Sequence, residues 1–296
     1  MELTLIACRS GRLSSFLKTE LRMSTGLMNK VKWADGLRVG GISCHTDYQV
    51  APGDVIHVFL EEPAPDYPAE DGPLNILYED AYFLAVDKPA GMLIHPSRSR
   101  NTGTLANFVQ GYYEKTHQQG AFHPLTRLDR DTFGIVLVAK NAHIHALLQE
   151  EKPRKHYEAL TCGGPVENEG IIDAPIARKS LPSLLREVRP DGKPSQTRFR
   201  VLKRTGDICR LDLEPITGRT HQLRLHCAYS GFPILGDPQY GSEKSQALSQ
   251  HLGLETQLLL AKSLEFVHPI TGEEMRLESG MSFKLTIDNG QLTIPI

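Results

Sequence analysis

The sequence predicts an α+β protein built on a mostly antiparallel sheet, in two units joined by a proline- and acid-rich segment. Three observations carry this. Beyond residue 74, short strand-like runs outnumber helical ones and do not alternate with them strictly, which argues against a doubly wound parallel sheet. Residues 61–73, EEPAPDYPAEDGP, hold four prolines and five acids, the composition of a stiff, extended spacer. The sixty residues before that segment carry their own helix and hairpin pattern. With 296 residues, 40% hydrophobic and 23% charged, the chain has room for a sizeable core and reads as an ordinary soluble globular protein.

In chain order, Leu13, Phe16, Leu17 and Leu21 recur at helical spacing and predict a short amphipathic helix. Ser24 or Thr25 caps a second helix, with Leu27, Met28 and Val31 as its apolar face. LRVGGISC (37–44) is a hairpin signal around Gly40-Gly41, and the turn at Pro52-Gly53-Asp54 leads into the strand VIHVFL (55–60). In the second unit, 74–296, strands are expected at ILYE, AYFLAVD, IVLVAK, HYEALT, TRFRVL, ICRLDLEP, EFVHP and FKLTI. Helices are expected at 105–117, 141–151 and 220–231.

Composition narrows the function classes. No apolar run reaches the about 18 residues that span a bilayer, and MELTLIACRSGR lacks a signal-peptide layout. The five cysteines (8, 44, 162, 209 and 227) are scattered and never form a CxxC pair, which predicts reduced thiols in the cytoplasm and no zinc site or disulfide framework. Among twelve histidines there is no HExxH, and His143 and His145 on one helix would point apart, so no metal is expected. Net charge is −2, yet residues 178–204 carry nine Lys/Arg against Glu187 and Asp191. Such a ribbon would contact phosphates or be a solvated, charge-rich edge.

The stretch HPLTRLDRDTFGIVLVAK (123–140) concentrates the chemistry. Asp129 sits in a tight polar turn between Arg127 and Arg130, and Gly134 closes the turn before the buried run IVLVA. Two flanking guanidiniums would keep the carboxylate ionised, which suits a nucleophile or an electrostatic anchor and not a general acid. The stretch closely resembles the RLDRxTSG motif of the RluA-type pseudouridine synthases. VDKPAGMLIHPS (86–97), KHYEALT (155–161), GKPSQTRFRVL (192–202), ITGRTHQLRLHCAYSGFPILGDPQYG (216–241) and LLLAKSLEFVHPITGEE (258–274) resemble that family's other segments, in its order. The first sixty residues resemble the S-four-like RNA-binding module that many such enzymes carry, although Gly40 stands where an Asn-Gly turn is usual. Lys18, Arg22, Lys30, Lys32 and Arg38 there would meet phosphate or be solvated.

The resemblance implies an isomerase that converts specific uridines of ribosomal or transfer RNA to pseudouridine, on a mixed sheet split by a central cleft. Breaking N1–C1′, turning the base and joining C5 to C1′ needs one carboxylate, which captures the sugar or promotes elimination, and no cofactor. The resemblance places Asp129 in that role. It makes Tyr157 the aromatic that stacks on uracil, its hydroxyl assisting removal of the C5 proton. It makes Arg224 the partner of Asp129, for which a bidentate fork is the expected geometry. Arg219, His221 and His226 are neighbouring cations that would serve instead. Arg127, Arg130, Arg219, His221 and Leu264 are the expected substrate contacts; Leu264, with Phe266, would line a uracil pocket or simply pack the core. The partner implied is RNA, with no membrane or metal, and the chain is expected to be a monomer.

Rival readings are weighed against the same residues. Asp129 alone would be a turn residue, Asp131 a cap or a partner of Arg127, Tyr157 a core aromatic and Arg224 a surface ion pair. Asp129-Arg-Asp131-Thr132 lacks the preceding apolar strand of aspartate-nucleophile phosphatases, and GDPQYGSE (236–243) lacks the P-loop lysine. A glycosidase would need Asp131 or Asp237 as a second carboxylate. Thr126, Phe133 and Ala261 depart from the family pattern, and Phe133 would put a bulky ring beside the catalytic turn. The alternative function is therefore a catalytically inactive RNA-binding protein that keeps the synthase fold.

Overall fold

The computed structural model describes residues 2–97, 99–180, 183, 185–283, 286–288 and 291–293, the last two stretches by backbone alone. The chain opens with β1 (Glu2–Ile6), β2 (Gly11–Arg12), α1 (Leu13–Thr19), α2 (Thr25–Trp33), β3 (Leu37–Val39), β4 (Ile42–Ser43), β5 (Gln49–Val50) and β6 (Val55–Phe59). Strands β1, β6, β3 and β4 form an antiparallel sheet in that order. Of the two candidate caps, Ser24 is the one used; its hydroxyl accepts from the Leu27 N–H at 3.1 Å. Gly40 and Gly41 both have positive φ, 57° and 81°, which a tight hairpin turn of the expected kind requires.

The second part contains β7 (Asn75–Glu79), β8 (Phe83–Lys88), α3 (Leu105–Lys115), β9 (His123–Pro124), β10 (Phe133–Ala139), α4 (Ala142–Glu151) and β11 (Arg154–Cys162). It continues with β12 (Glu169–Asp173), β13 (Ile176–Arg178), β14 (Arg186–Val188), β15 (Gln196–Thr205), β16 (Ile208–Pro215), α5 (Gln222–Tyr229), α6 (Glu243–His251), β17 (Leu259–Val267), β18 (Glu274–Glu278), β19 (Thr286–Asp288) and β20 (Gln291–Thr293). The large sheet runs β12-β15-β16-β11-β17-β10-β8-β7, with β18 on β17 and β9 on β10. Every pairing in it is antiparallel among the described residues except β10 with β17, so the sheet is mixed and mostly antiparallel as expected. The expected strand FKLTI lies partly on Lys284 and Leu285, outside the described residues. Helix α6 and strand β18 fall on polar, charge-rich runs whose periodicity had predicted no element.

The parallel contact is short, Phe133 with Leu260 and Gly134 with Ala261, and it marks where the sheet opens into a cleft. Gly134 is required there. Its φ is +105°, and a Cβ would lie 2.3 Å from the Ala261 carbonyl oxygen. Period-two alternation explains the cores on either face. Val136 and Val138 of β10, with Leu84 and Val86 of β8, pack under α3 against Leu105 and Val109. Ile135, Leu137 and Ala139, with Phe83 and Ala85, face Ile144, Leu147 and Leu148 of α4. With both faces covered, β10 is apolar at every position after the turn.

The same apolar cluster that holds α4 contains Leu13, Phe16, Leu17, Leu37, Ile56 and Val58, so the N-terminal elements share a core with the large sheet. Arg22, in the left-handed region at φ 51°, donates to Glu150 at 2.9 Å and Glu151 at 2.6 Å. The expected spacer is instead docked. The Asn107 side-chain amide donates to the Pro68 carbonyl at 2.8 Å, the Glu70 N–H to the Asn107 carbonyl at 3.0 Å, and the Glu70 carboxylate accepts from Gly103 at 2.7 Å. Prolines alone set extension; docking depended on two donors and an acceptor supplied by α3 and the loop before it.

Candidate active site

A cleft of about 760 Å³ opens beside the β10–β17 junction and is lined by Arg127, Asp129, Tyr157, Arg219, His221 and Arg224 among others. Asp129 lies in the turn that feeds β10, closed by the Thr132 N–H donating to the Asp129 carbonyl at 3.2 Å. Thr132 is anchored in turn by Gln257, whose amide donates to its hydroxyl at 3.0 Å. Below the turn, the fully buried Lys88 donates to the carbonyls of Pro89 (2.9 Å), Met92 (3.0 Å) and Arg130 (2.9 Å). Burial pushes the Lys88 ammonium down to about 8, against the charges of Asp131 and Asp129. Three carbonyl acceptors match the three N–H bonds of the charged form, so Lys88 is protonated at neutral pH and ties the VDKPAG segment to the Asp129 turn.

Arg224 projects from α5 and is buried. Its Nη1 donates to Asp129 Oδ2 at 2.9 Å, the contact expected between them. The fork, however, is formed elsewhere: Nε donates to Asp237 Oδ2 at 2.7 Å and Nη2 to Asp237 Oδ1 at 2.8 Å. Nη2 also reaches Gln239 Oε1 at 2.9 Å, and the Tyr240 ring lies 5.2 Å from the guanidinium carbon. Burial opposes this charge, but Asp237 and then Asp129 more than offset it and hold the arginine above its ordinary value. Asp237 is almost fully buried and committed to Arg224, so it is not placed as the second carboxylate of a glycosidase.

Asp129 Oδ2 is thus engaged, while Oδ1 lies 3.8 Å from His221 Nε2. His221 precedes α5 in the left-handed region at φ 57°. Its Nδ1 meets the Tyr240 hydroxyl at 2.9 Å, and that hydroxyl accepts the Arg186 N–H at 2.9 Å. The tyrosine hydroxyl thus holds the Nδ1 edge of the imidazole and leaves the Nε2 edge facing Asp129. Burial lowers the His221 pKa, partly countered by Asp129. Tyr157, on β11 across from Ala261, brings its ring to the same cleft; burial and then the Asp129 charge push its phenol up.

Several expected placements are corrected. The flanking guanidiniums do not pair with Asp129. Arg130 points outward and forms its own fork with Asp131, at 2.9 and 2.8 Å, and does not line the cleft. Asp131 therefore bonds Arg130 and not Arg127. Arg127 does line the cleft, exposed. Arg219 lines it too, its guanidinium donating twice to the Pro194 carbonyl at 3.3 Å. Leu264 is not in the cleft; it is buried in the core with Phe83 and Phe266, while its cross-strand neighbour Lys155 lines the cleft. His226 is buried too, between the Thr197 hydroxyl at 2.8 Å and the Ala174 carbonyl at 3.0 Å. Phe133 points away from the cleft into a core with Leu160 and Leu260, edge-on to Phe283 at 5.6 Å. Within the basic ribbon, Arg198 pairs with Glu214 at 2.5 Å and Arg200 with Asp212 at 3.3 Å, cross-strand acids that local counting misses. In the N-terminal part, Arg22 is committed to Glu150 and Glu151.

Sequence reasoning missed Lys88 as a brace and Asp237 as the anchor of Arg224. Both lie inside segments that resemble the family's, but a buried lysine and a non-periodic aspartate carry no local pattern of their own. Among the described residues no three or more His, Cys, Asp or Glu side chains are grouped to hold a metal, and no helix is long and apolar enough to cross a membrane.

Comparison with known proteins defines the class first: an isomerase that acts on RNA. A family model described as RNA pseudouridylate synthase matches residues 82–229, and the chain belongs to that family. It is 36% identical over 267 residues to the uncharacterized RNA pseudouridine synthase YjbO of Bacillus subtilis, covering 88% of this chain and 92% of that one. It is 32% identical over 291 residues to the ribosomal large subunit pseudouridine synthase C of Vibrio vulnificus, covering 93% and 90%. Among solved structures, human RNA pseudouridylate synthase domain containing 1 aligns with a TM-score of 0.60 at 26% identity, over 79% of this chain and 92% of that chain.

Proposed function

We propose that this enzyme isomerises specific uridines of ribosomal or transfer RNA, with Asp129 as the group that acts on the glycosidic bond and without a cofactor. The observation that carries the reading is the asymmetric hold on Asp129: Arg224 occupies Oδ2, and Oδ1 is left for the sugar or the base. The target nucleotide, flipped from its stack, enters the cleft and rests against Tyr157. A phenol held neutral by its burial serves as a stacking face and hydrogen-bonding group, not as a resting phenolate. Arg127, Arg219 and His221 contact the substrate from the cleft walls. The name of the Vibrio vulnificus relative supports ribosomal RNA as one substrate pool.

The same reading assigns residues 1–60 to an S-four-like RNA-binding module, 61–73 to a connecting segment and 74–296 to the catalytic domain, in a monomeric cytoplasmic enzyme. Exposed Lys18, Lys30 and Arg38 are the module's candidate phosphate contacts. The test is tritium release from ribosomal and transfer RNA labelled at uridine C5, comparing wild type with Asp129→Asn. Release by wild type alone is expected. Binding without release from either pool would return the inactive RNA-binding reading.

A further inference from the structure

The cations of the cleft are not equivalent. Asp129 is the one carboxylate among the described residues that line it, against Arg127, Lys155, Arg219 and Arg224. Arg224 is consumed by Asp237 and Asp129, and Arg219 rests on the Pro194 carbonyl. Arg127 is exposed, where an unpaired guanidinium is solvated at no cost. Lys155 differs from all three. It is half-buried, and its ammonium makes no hydrogen bond or ion pair with any described residue. Burial alone acts on it, lowering its pKa, with no carboxylate to restore the charge.

Its surroundings confirm that the charge is uncompensated. From α4, His145 and Gln149 also line the cleft, but Gln149 is turned to His145 at 3.4 Å, and burial, with the nearby His123, lowers the His145 pKa. A half-buried lysine without a partner carries a desolvation cost in the free protein, and an arriving anion offsets that cost.

Strand geometry says which anion. Lys155 and Tyr157 are two residues apart on β11, both on the cleft face, while Arg154 and His156 point to the opposite side of the sheet with Glu214 and Asp212. The irregularity between β11 and β17 at this point lies on β17, where Lys262 has no partner across the pair, so β11 itself is regular. Two residues of extended strand span about 7 Å, the scale of one nucleotide of RNA backbone. We propose that Lys155 forms a subsite for the phosphodiester adjoining the uridine that is held against Tyr157. The inference rests on the proposed RNA reading and adds to it the contact that fixes the chain beside the flipped base.

The test uses the full chain and ribosomal RNA labelled with tritium at uridine C5, with wild type, Lys155→Met and Lys155→Arg. Methionine keeps the apolar stem that packs along the cleft wall and removes only the charge. For Lys155→Met, the apparent KM is expected to rise roughly tenfold with kcat little changed. The slope of log(kcat/KM) against log salt is expected to become shallower by about 0.7, one phosphate contact on a single strand. Lys155→Arg retains the slope. The thermal midpoint of free Lys155→Met is expected to rise, because an unpaired half-buried charge has gone. A KM within twofold of wild type, or a raised KM with an unchanged salt slope, overturns the subsite. No tritium release by wild type would instead overturn the RNA reading itself.

Discussion

Arg224 grips Asp237 with two nitrogens, at 2.7 and 2.8 Å, and touches Asp129 with one, at 2.9 Å. The buried arginine is therefore anchored by a carboxylate that takes no part in lining the cleft, and offers the remaining N–H to the carboxylate that does. Asp237 is itself fixed by the N–H groups of Gln239 (2.9 Å) and Tyr240 (3.2 Å). Rigidity passes from that turn, through the guanidinium, to Asp129.

Breaking this pair from one side leaves a buried charge unmatched. Asp237→Ala is expected to lower the unfolding free energy by about 3–5 kcal/mol, read by denaturant titration, and to lower kcat at least about tenfold as Arg224 loses its orientation. Asp237→Asn keeps the shape and is expected to fall between wild type and alanine. An unchanged kcat in Asp237→Ala would show that Arg224 needs no second anchor.

Tyr157 is held neutral by burial and by Asp129. Since the shift is upward, the phenol stays protonated through the alkaline range in which an ordinary tyrosine begins to ionise. The pH profile of kcat for Tyr157→Phe is expected to keep the wild-type shape between about pH 6 and 9, whatever its height. Loss of a neutral-range ionisation in that variant would restore the phenolate as base.

Lys88 carries a stability signature with a definite sign. Its pKa is depressed to about 8 in the folded chain, so above that value the native state sheds a proton that the unfolded chain still holds. The cost of the buried charge is present below pH 8 and is relieved as pH rises toward the ordinary lysine value. Between pH 7.5 and 9 the stability of wild type relative to Lys88→Met is expected to grow by about 1 kcal/mol, measured by denaturant unfolding at both pH values. A constant difference would mean that the three carbonyls hold the ammonium charged throughout.

Phe133 fills a core and leaves the cleft open. Phe133→Ser, which installs the residue usual in the resembled motif, is expected to cost about 3–5 kcal/mol of stability with no gain in kcat. A gain in turnover would mean that the ring does crowd the reaction after all.

Local pattern carried a good deal. The apolar run of β10, the Gly40-Gly41 turn, the helices near 105–115 and 142–151 and the strand-rich α+β class were legible because each is written in neighbouring residues, as periodicity two or 3.6 or as turn chemistry. Linear reading erred wherever a partner was distant in sequence. Adjacent Arg127 and Arg130 do not pair with Asp129; its ion pair is Arg224, 95 residues away, which the family resemblance implies and the local charge pattern does not. Of the two readings of Leu264, pocket lining or core packing, the second holds: it packs with Phe83 and Phe266, and Lys155 lines the cleft.

The sequence by itself determined the class of fold, the family and the stretch of chain in which the reactive carboxylate lies, since those reside in composition, periodicity and motif. Tertiary structure decided which charges meet: Arg224 with Asp237 before Asp129, Lys88 with three carbonyls, Arg22 with the end of α4, and Lys155 with none of the described residues. Ionic partners are chosen by distance and burial in space. Those follow from sheet register and from how the N-terminal elements and helices close over the sheet, and no local run of residues encodes them.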